Sequence, residues 1–177
     1  MEEIFEKVLF THDDIVKMAK RVASEINHDY EGQDLVIICM LKGGAPWMME
    51  LIKHLEVKTQ IDFMQISSYH GGTHASDIVF KKDIEASITN RNVLIVDDII
   101  DSGETMQRVI DLFKTRNAKT LEVCCMLDKP YHRKNNLHAK YVGSEVEDAF
   151  LVGFGLDYEE YYRNVPEIGI FKKELIK

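Results

Sequence analysis

Three acids stand close together at Asp97, Asp98 and Asp101, and the last of them opens a run of small or polar residues, Asp101-Ser102-Gly103-Glu104-Thr105. Hydroxyls and backbone N–H groups in such a turn are neutral donors of the kind that hold a phosphate. Carboxylates beside an anion site should repel the anion, so they need a reason of their own. They accept from sugar hydroxyls, or they hold a metal ion that accompanies the anion. A single Asp-Ser-Gly reads as a capped helix start with solvated acids. Three acids with a small-residue turn favour a ligand site.

The turn needs elements to position it. Val93-Leu94-Ile95-Val96 is apolar and mostly β-branched, the mark of a strand buried on both faces, and it runs up to the two acids. Met106, Val109, Ile110 and Phe113 then recur at helical spacing. In open α/β sheets the ligand sits beyond the carboxyl ends of the strands, and a helix start adds unpaired N–H groups. A second unit has the same form. Leu35 to Leu41 is a buried strand, Lys42-Gly43-Gly44 the turn, and a helix is expected from about Ala45 to Leu55 with Pro46 tolerated in its first turn.

Upstream, Thr11 with Asp14 is placed to make a capping box for a helix whose stripe is Ile15, Met18, Val22 and Ile26, ending at Glu31-Gly32. Gln60 to Ile66 alternates like a strand with one wetter face. Residues 67–77 are polar and Gly-containing, and are expected to form a mobile lid loop. Ile78 to Lys82 resumes extended structure. Thr120 to Leu127 is another strand, stopped by Asp128-Lys129-Pro130. A polar, basic stretch from Tyr131 to Ala139 follows. Short extended pieces at Tyr141 to Gly143 and Phe150 to Phe154 come next, then an aromatic-rich turn from Gly155 to Arg163. Ile168 to Ile176 carries a final strand or short helix. Strands alternating with helices make this an α/β chain with a doubly wound, mostly parallel sheet flanked by helices. A small hood region from the chain ends completes the expected fold. Residues 1–177 form one domain.

Composition bounds the partners. A net charge of −8 argues against nucleic acid as the main partner. The pI near 5.4 agrees. No apolar run approaches the roughly 18–20 residues of a membrane span, and Met1-Glu2-Glu3-Ile4 lacks a signal-peptide pattern. The cytoplasm is the expected address. Cys39, Cys124 and Cys125 all lie in apolar runs and read as core residues. His70 and His74 fall in the Gly-containing stretch and read as loop histidines, not as a metal pair.

The stretch from Val93 to Thr105 resembles the phosphoribosyl pyrophosphate (PRPP) signature of type I phosphoribosyltransferases: apolar strand, two acids, two apolar residues, Asp, Ser or Thr, Gly, any residue, Thr. With Leu41-Lys42-Gly43-Gly44, Ser67-Ser68-Tyr69, Leu127-Asp128-Lys129-Pro130 and Gly153 to Tyr158 with Arg163, almost the whole chain is similar to the branch of that family that acts on hypoxanthine. The resemblance implies transfer of 5-phosphoribosyl from PRPP to hypoxanthine, and to guanine, with Mg²⁺ and release of pyrophosphate. It assigns the 5-phosphate to Asp101, Ser102, Gly103, Glu104 and Thr105. Asp97 and Asp98 go to the ribose hydroxyls or the metal. Asp101 becomes the acid/base group at purine N7. Pyrophosphate falls to Lys42, Gly43 and Arg163, with Ser68 and Tyr69 on the lid and Arg133 helping at the loop.

The same resemblance gives the purine to Lys129, Phe150, Leu151 and Asp157, with Asp157 also holding Mg²⁺. Lys129 would donate to the O6 carbonyl of a 6-oxopurine; it cannot accept from the amino group of adenine. Phe150 would stack on the base, and the backbone of Leu151 would meet its Watson–Crick edge. This chain has Asp97-Asp98 where the family more often has Glu-Asp. One methylene fewer makes a water-mediated contact the expectation for Asp97. The partners are then small molecules, with no nucleic acid and no membrane, and a homodimer or homotetramer is the expected assembly. A xanthine-preferring relative and a PRPP-responsive nucleic-acid-binding regulator on the same fold are the rival readings. The second needs a basic face.

Overall fold

The computed structural model describes residues 4–68 and 78–176, apart from the side chains of 67, 68, 78 and 79. In chain order the elements are β1 (Phe5–Phe10), α1 (His12–Asp29), β2 (Leu35–Leu41), α2 (Gly44–Leu51), β3 (Thr59–Ser68), β4 (Ile78–Lys82), β5 (Asn92–Ile100), α3 (Glu104–Thr115), β6 (Thr120–Asp128), β7 (Tyr141–Glu145), β8 (Leu151–Val152) and β9 (Ile168–Phe171). Six strands form one sheet in the order β4-β3-β2-β5-β6-β7. All neighbours are parallel except the β3–β4 pair at one edge. The expected doubly wound sheet is present.

The strands are apolar on both faces because both faces are covered. Ile37, Cys39, Leu94 and Val96 pack with Ile15, Val22, Trp47, Met48 and Leu51 of α1 and α2. Their chain neighbours Val36, Ile38, Val93 and Ile95 point the other way, to Met106, Val109 and Phe113 of α3. The chain therefore leaves β2 toward one face and β5 toward the other. Neighbouring strands whose connections part in this way leave a crevice at their carboxyl ends, the place where ligands bind in such sheets.

The three cysteines are buried. Loss of hydration, with Asp97 and Asp98 nearby, pushes the Cys39 thiol up to about 12. The capping box at α1 is present: Thr11 Oγ1 accepts from the Asp14 N–H at 3.3 Å, and the Thr11 N–H donates to Asp14 Oδ2 at 3.1 Å. Among the described residues no helix is long and apolar enough to cross a membrane.

A second, three-stranded sheet in the order β1-β9-β8 forms the hood. Ile4, Val152, Val165 and Phe171 make its small core. Four features differ from the sequence reading. Strand β1 is not visible as an alternating pattern, because its pairing with β9 shifts register twice, between Phe5 and Lys7 and between Val8 and Phe10. Helix α2 stops at Leu51, and Ile52–His54 is a 3-10 turn in which Glu50 takes Lys53 and His54 as partners. Strand β5 does not end at the acids but runs through them to Ile100, because β6 is long enough to pair with it there. The expected lid lies almost wholly outside the described residues; β3 extends through the backbone of Ser67 and Ser68.

At the β4 edge, buried Asp62 fixes the chain that follows the hairpin. Its carboxylate accepts from the N–H groups of Phe63 at 2.7 Å, Glu85 at 2.7 Å and Ala86 at 2.8 Å. Burial pushes the carboxyl upward, but these amides and Lys82 more than offset it, so it is held below the ordinary carboxylate range. A folded value below the unfolded one, about 3.9, gives stability that is fully present above that value and is lost as pH falls through the folded one. Asp62→Asn is therefore expected to lose about 1–3 kcal/mol at neutral pH. In urea unfolding its deficit should narrow below about pH 4. A deficit that stays constant with pH contradicts this account.

Candidate active site

The pairing of β2 with β5 ends at Cys39 and Val96, while β5 continues along β6 to Ile100 and Asp128. Beyond Val96, then, β5 is paired on one side. Its two acids also accept from the backbone N–H that follows each of them. Asp97 Oδ1 accepts from the Asp98 N–H at 3.0 Å, and Asp98 Oδ1 accepts from the Ile99 N–H at 2.8 Å. The β2–α2 turn packs against this edge, and the Leu41–Lys42 peptide in it is cis. A Cβ on Gly43 would lie 1.7 Å from Asp98 Oδ2, and one on Gly44 would lie 3.0 Å from the Val96 carbonyl oxygen. Both acids are partly exposed. Loss of hydration and the neighbouring Asp98 carboxylate raise Asp97 well above the ordinary range. Loss of hydration also raises Asp98, against the pull of the Arg163 charge.

Helix α3 starts at Gly103, with φ of 77° and no side-chain cap. Asp101 is therefore not the helix cap. The stretch after Lys129 grips the turn through its carbonyls: the Lys134 N–H donates to Ser102 O at 3.0 Å, Arg133 Nε to Asp101 O at 3.2 Å, and Asn135 Nδ2 to Gly103 O at 3.0 Å. With its carbonyls engaged there, the turn lines a hollow of about 210 Å³ through Asp97, Asp101, Ser102, Gly103 and Thr105. First-turn N–H groups of a helix have no partner within it, so this is a place for an anion. Glu104 pairs with Lys134 at 3.3 Å. Arg133 pairs with Asp128 and donates to the Leu137 carbonyl.

Lys129 is buried, and its backbone N–H donates to the Ile100 carbonyl at 2.9 Å. Its Nζ donates to the Ala149 carbonyl at 2.7 Å, immediately before Phe150. The Phe150 ring is 46% exposed, supported edge-on by Tyr158 and tilted against Phe171. Leu151 is buried and paired with Ile170 in the hood. An ammonium and an open flat ring thus stand side by side.

The third group spans hood and sheet. Lys42 Nζ donates to Glu160 Oε2 at 2.8 Å, and Arg163 Nη2 reaches the same oxygen at 3.3 Å. Arg163 also pairs with Asp157 at 2.8 Å and donates to the Gly155 carbonyl at 2.7 Å. Its Nε is buried with no hydrogen-bond partner among the described residues. Lys42 and Glu160 are 56% and 62% exposed, so their pair is worth at most about 1 kcal/mol and yields to a stronger anion. A Cβ on Gly155 would lie 2.2 Å from the Gly43 carbonyl oxygen, which puts the hood turn directly on the β2–α2 turn. Among the described residues no three His, Cys, Asp or Glu side chains gather to enclose an ion. Mg²⁺ does not need that; one or two carboxylates with phosphate oxygens and water suffice. The Asp97–Asp98 pair fits such a role.

Residues 7–159 match the family described as the phosphoribosyl transferase domain. The chain belongs to the phosphoribosyltransferase family. It is 43% identical to a hypoxanthine-guanine phosphoribosyltransferase of Staphylococcus aureus over 176 residues, which is 99% of this chain and 98% of that one. A Streptococcus pneumoniae protein of the same name is 42% identical over the same shares. The solved structure of a hypoxanthine phosphoribosyltransferase from Staphylococcus aureus superposes with a TM-score of 0.95 at 42% identity, covering 100% of this chain and 97% of that one.

For a phosphoribosyltransferase the sequence-read residues fall into three adjoining groups. Asp97, Asp101, Ser102, Gly103 and Thr105 line the hollow, with Asp98 and Glu104 next to them in the chain; Lys129 meets the loop of Phe150 and Leu151; Lys42, Gly43, Asp157 and Arg163 gather where the hood turn meets the β2–α2 turn. Tyr69 and the side chain of Ser68 lie outside the described residues, as do His70 and His74. Sequence reasoning missed Glu160, which links the two cations, the clamp by Lys134 and Asn135, and a contact of Asp101 Oδ1 with His132 Nδ1 at 3.2 Å. Gly155 carried a usable signal, a second glycine closely spaced from Gly153. The other contacts are long-range and leave no local pattern.

Gly43→Ala is expected to lower transferase activity by roughly tenfold or more, because the new methyl displaces Asp98. Thermal unfolding should move little, since Gly43 belongs to neither large apolar cluster. Unchanged kinetics would mean that the position of Asp98 does not matter to the reaction.

Proposed function

We infer that the protein transfers the 5-phosphoribosyl group of PRPP to hypoxanthine, and to guanine, giving the nucleotide and pyrophosphate. The observation that carries this is the buried Lys129 ammonium beside the exposed Phe150 ring, next to the phosphate-type turn at the start of α3. The names of the relatives support it. Phe150 stacks on the base, Lys129 donates to its O6 carbonyl, and the backbone at Leu151 meets its Watson–Crick edge. Adenine offers a 6-amino donor to a residue that can only donate.

The turn from Asp101 to Thr105 holds the 5-phosphate through N–H groups and hydroxyls. Asp97 and Asp98 accept from the ribose hydroxyls, directly or through water, and place negative charge near a sugar that becomes cation-like. As the N9–C1 bond forms, the C1–O bond breaks and its electron pair leaves with pyrophosphate, while Asp101 takes the N7 proton. Lys42 and Arg163 receive the pyrophosphate, displacing Glu160. Mg²⁺, held by Asp157 and by Asp97 or Asp98, would neutralise part of the phosphate charge.

Purified protein with PRPP, Mg²⁺ and each of hypoxanthine, guanine, xanthine and adenine tests the reading. Nucleotide is expected from hypoxanthine and not from adenine, and EDTA should abolish turnover until Mg²⁺ is restored. Turnover of adenine alone would overturn the role of Lys129. Asp101→Asn should reduce turnover by roughly 10²-fold while PRPP binding changes less, because the backbone donors of the turn remain. A variant with near-normal turnover would remove Asp101 from the chemistry.

A further inference from the structure

His132 lies in neither the sequence motifs nor the roles assigned above, yet it sits between two carboxylates. Its Nδ1 is 3.2 Å from Asp101 Oδ1, and its Nε2 is 3.0 Å from Asp148 Oδ2. The ring ends the one-turn 3-10 segment Pro130–His132, whose backbone closes through the His132 N–H to the Lys129 carbonyl at 3.2 Å. It is therefore fixed relative to the base-reading Lys129. Asp148 lies on the short loop that also carries the Lys129 acceptor Ala149 and the stacking ring Phe150. His132 thus joins the turn of β5 to the loop before β8, the two walls between which the base would lie.

We propose that His132 is a positioning residue for Asp101, holding Oδ1 of that carboxylate and anchoring it through Asp148 to the loop that stacks the base, so that Oδ2 is left to receive the N7 proton. This rests on the role given to Asp101 above. A neutral imidazole has one N–H and one lone pair, so with a carboxylate at each nitrogen it satisfies only one of them; the protonated ring satisfies both. The charged groups around it are few. Asp101 faces it from the β5–α3 turn, and Asp148, with Glu147 next to it, from the loop before β8. On its own segment Arg133 is engaged by Asp128, Lys129 by the Ala149 carbonyl, and Lys134 by Glu104. No cation among these competes for the outward oxygens of Asp101 and Asp148.

The test is steady-state kinetics of the whole enzyme with Mg²⁺, reading kcat and KM for hypoxanthine and for PRPP. His132→Gln is expected to lower kcat/KM for hypoxanthine roughly 10-fold and leave KM for PRPP within about twofold. His132→Arg, a cation with several donors, should keep most of the rate. Asp148→Asn should match His132→Gln, and the double variant should be no slower than either single one.

Wild-type kinetics in His132→Gln, additive losses in the double variant, a loss shared equally by both substrates, or no rescue by His132→Arg would each overturn the proposal. Failure of the underlying function looks different: the wild type itself would make no nucleotide from hypoxanthine, and the proposal would fall with it. An active wild type that is indifferent to His132 sinks the proposal alone.

Discussion

The site depends on one strand edge. β5 is held on both sides up to Val96 and on one side from Asp97 to Ile100. The strand's own carboxylates turn back onto the N–H groups of Asp98 and Ile99. That arrangement fixes two acids at the mouth of the crevice, and the absence of a Cβ at Gly43 lets the neighbouring turn close on them. Helices on opposite faces of β2 and β5 keep the crevice open.

Charge is distributed around that edge in an uneven way. The two acids of β5 oppose each other's ionisation, whereas Lys42 and Arg163 share the carboxylate of Glu160. On the function proposed above, a polyanion accompanied by a divalent cation would answer both: the cation would meet the acids, and the anion would replace Glu160. The weak, exposed Lys42–Glu160 pair suits a contact that has to be given up in each cycle. The buried Asp128–Arg133 pair does the opposite work, holding rigid the segment that clamps the phosphate turn.

The stretch from Val93 to Phe113 was the most legible part of the sequence, because burial on both faces and helical spacing leave strong local patterns. The boundary at Asp97 was misread for a physical reason: polarity suggests a strand end, but pairing with β6 carries the strand on, and nothing local announces that. β1 was invisible because its two register shifts erase alternation. Asp101, Lys129, Phe150 and Arg163 were found through resemblance, and physical reasoning supplied their chemistry. Glu160, His132 and Asp148 could not be found that way. Lys42 lies 118 residues from Glu160 in the chain, and Asp101 and Asp148 reach His132 from two other segments.

The hood also sets an order of assembly during synthesis. Phe5 of β1 pairs with Phe171 of β9, so the first strand waits for nearly the last. Chains emerge from the ribosome at roughly 5–20 residues per second, and early segments can fold before late ones exist. The β2, β3 and β5 strands and the turn at Asp101 are available long before β9, whereas Phe150 and Tyr158 gain their packing partner Phe171 only at the end. Contacts between such distant segments form slowly, because the long loop must be closed before they reward it. A nascent chain halted short of Ile168 therefore carries the turn at Asp101 without the Phe171 ring on which Phe150 and Tyr158 pack.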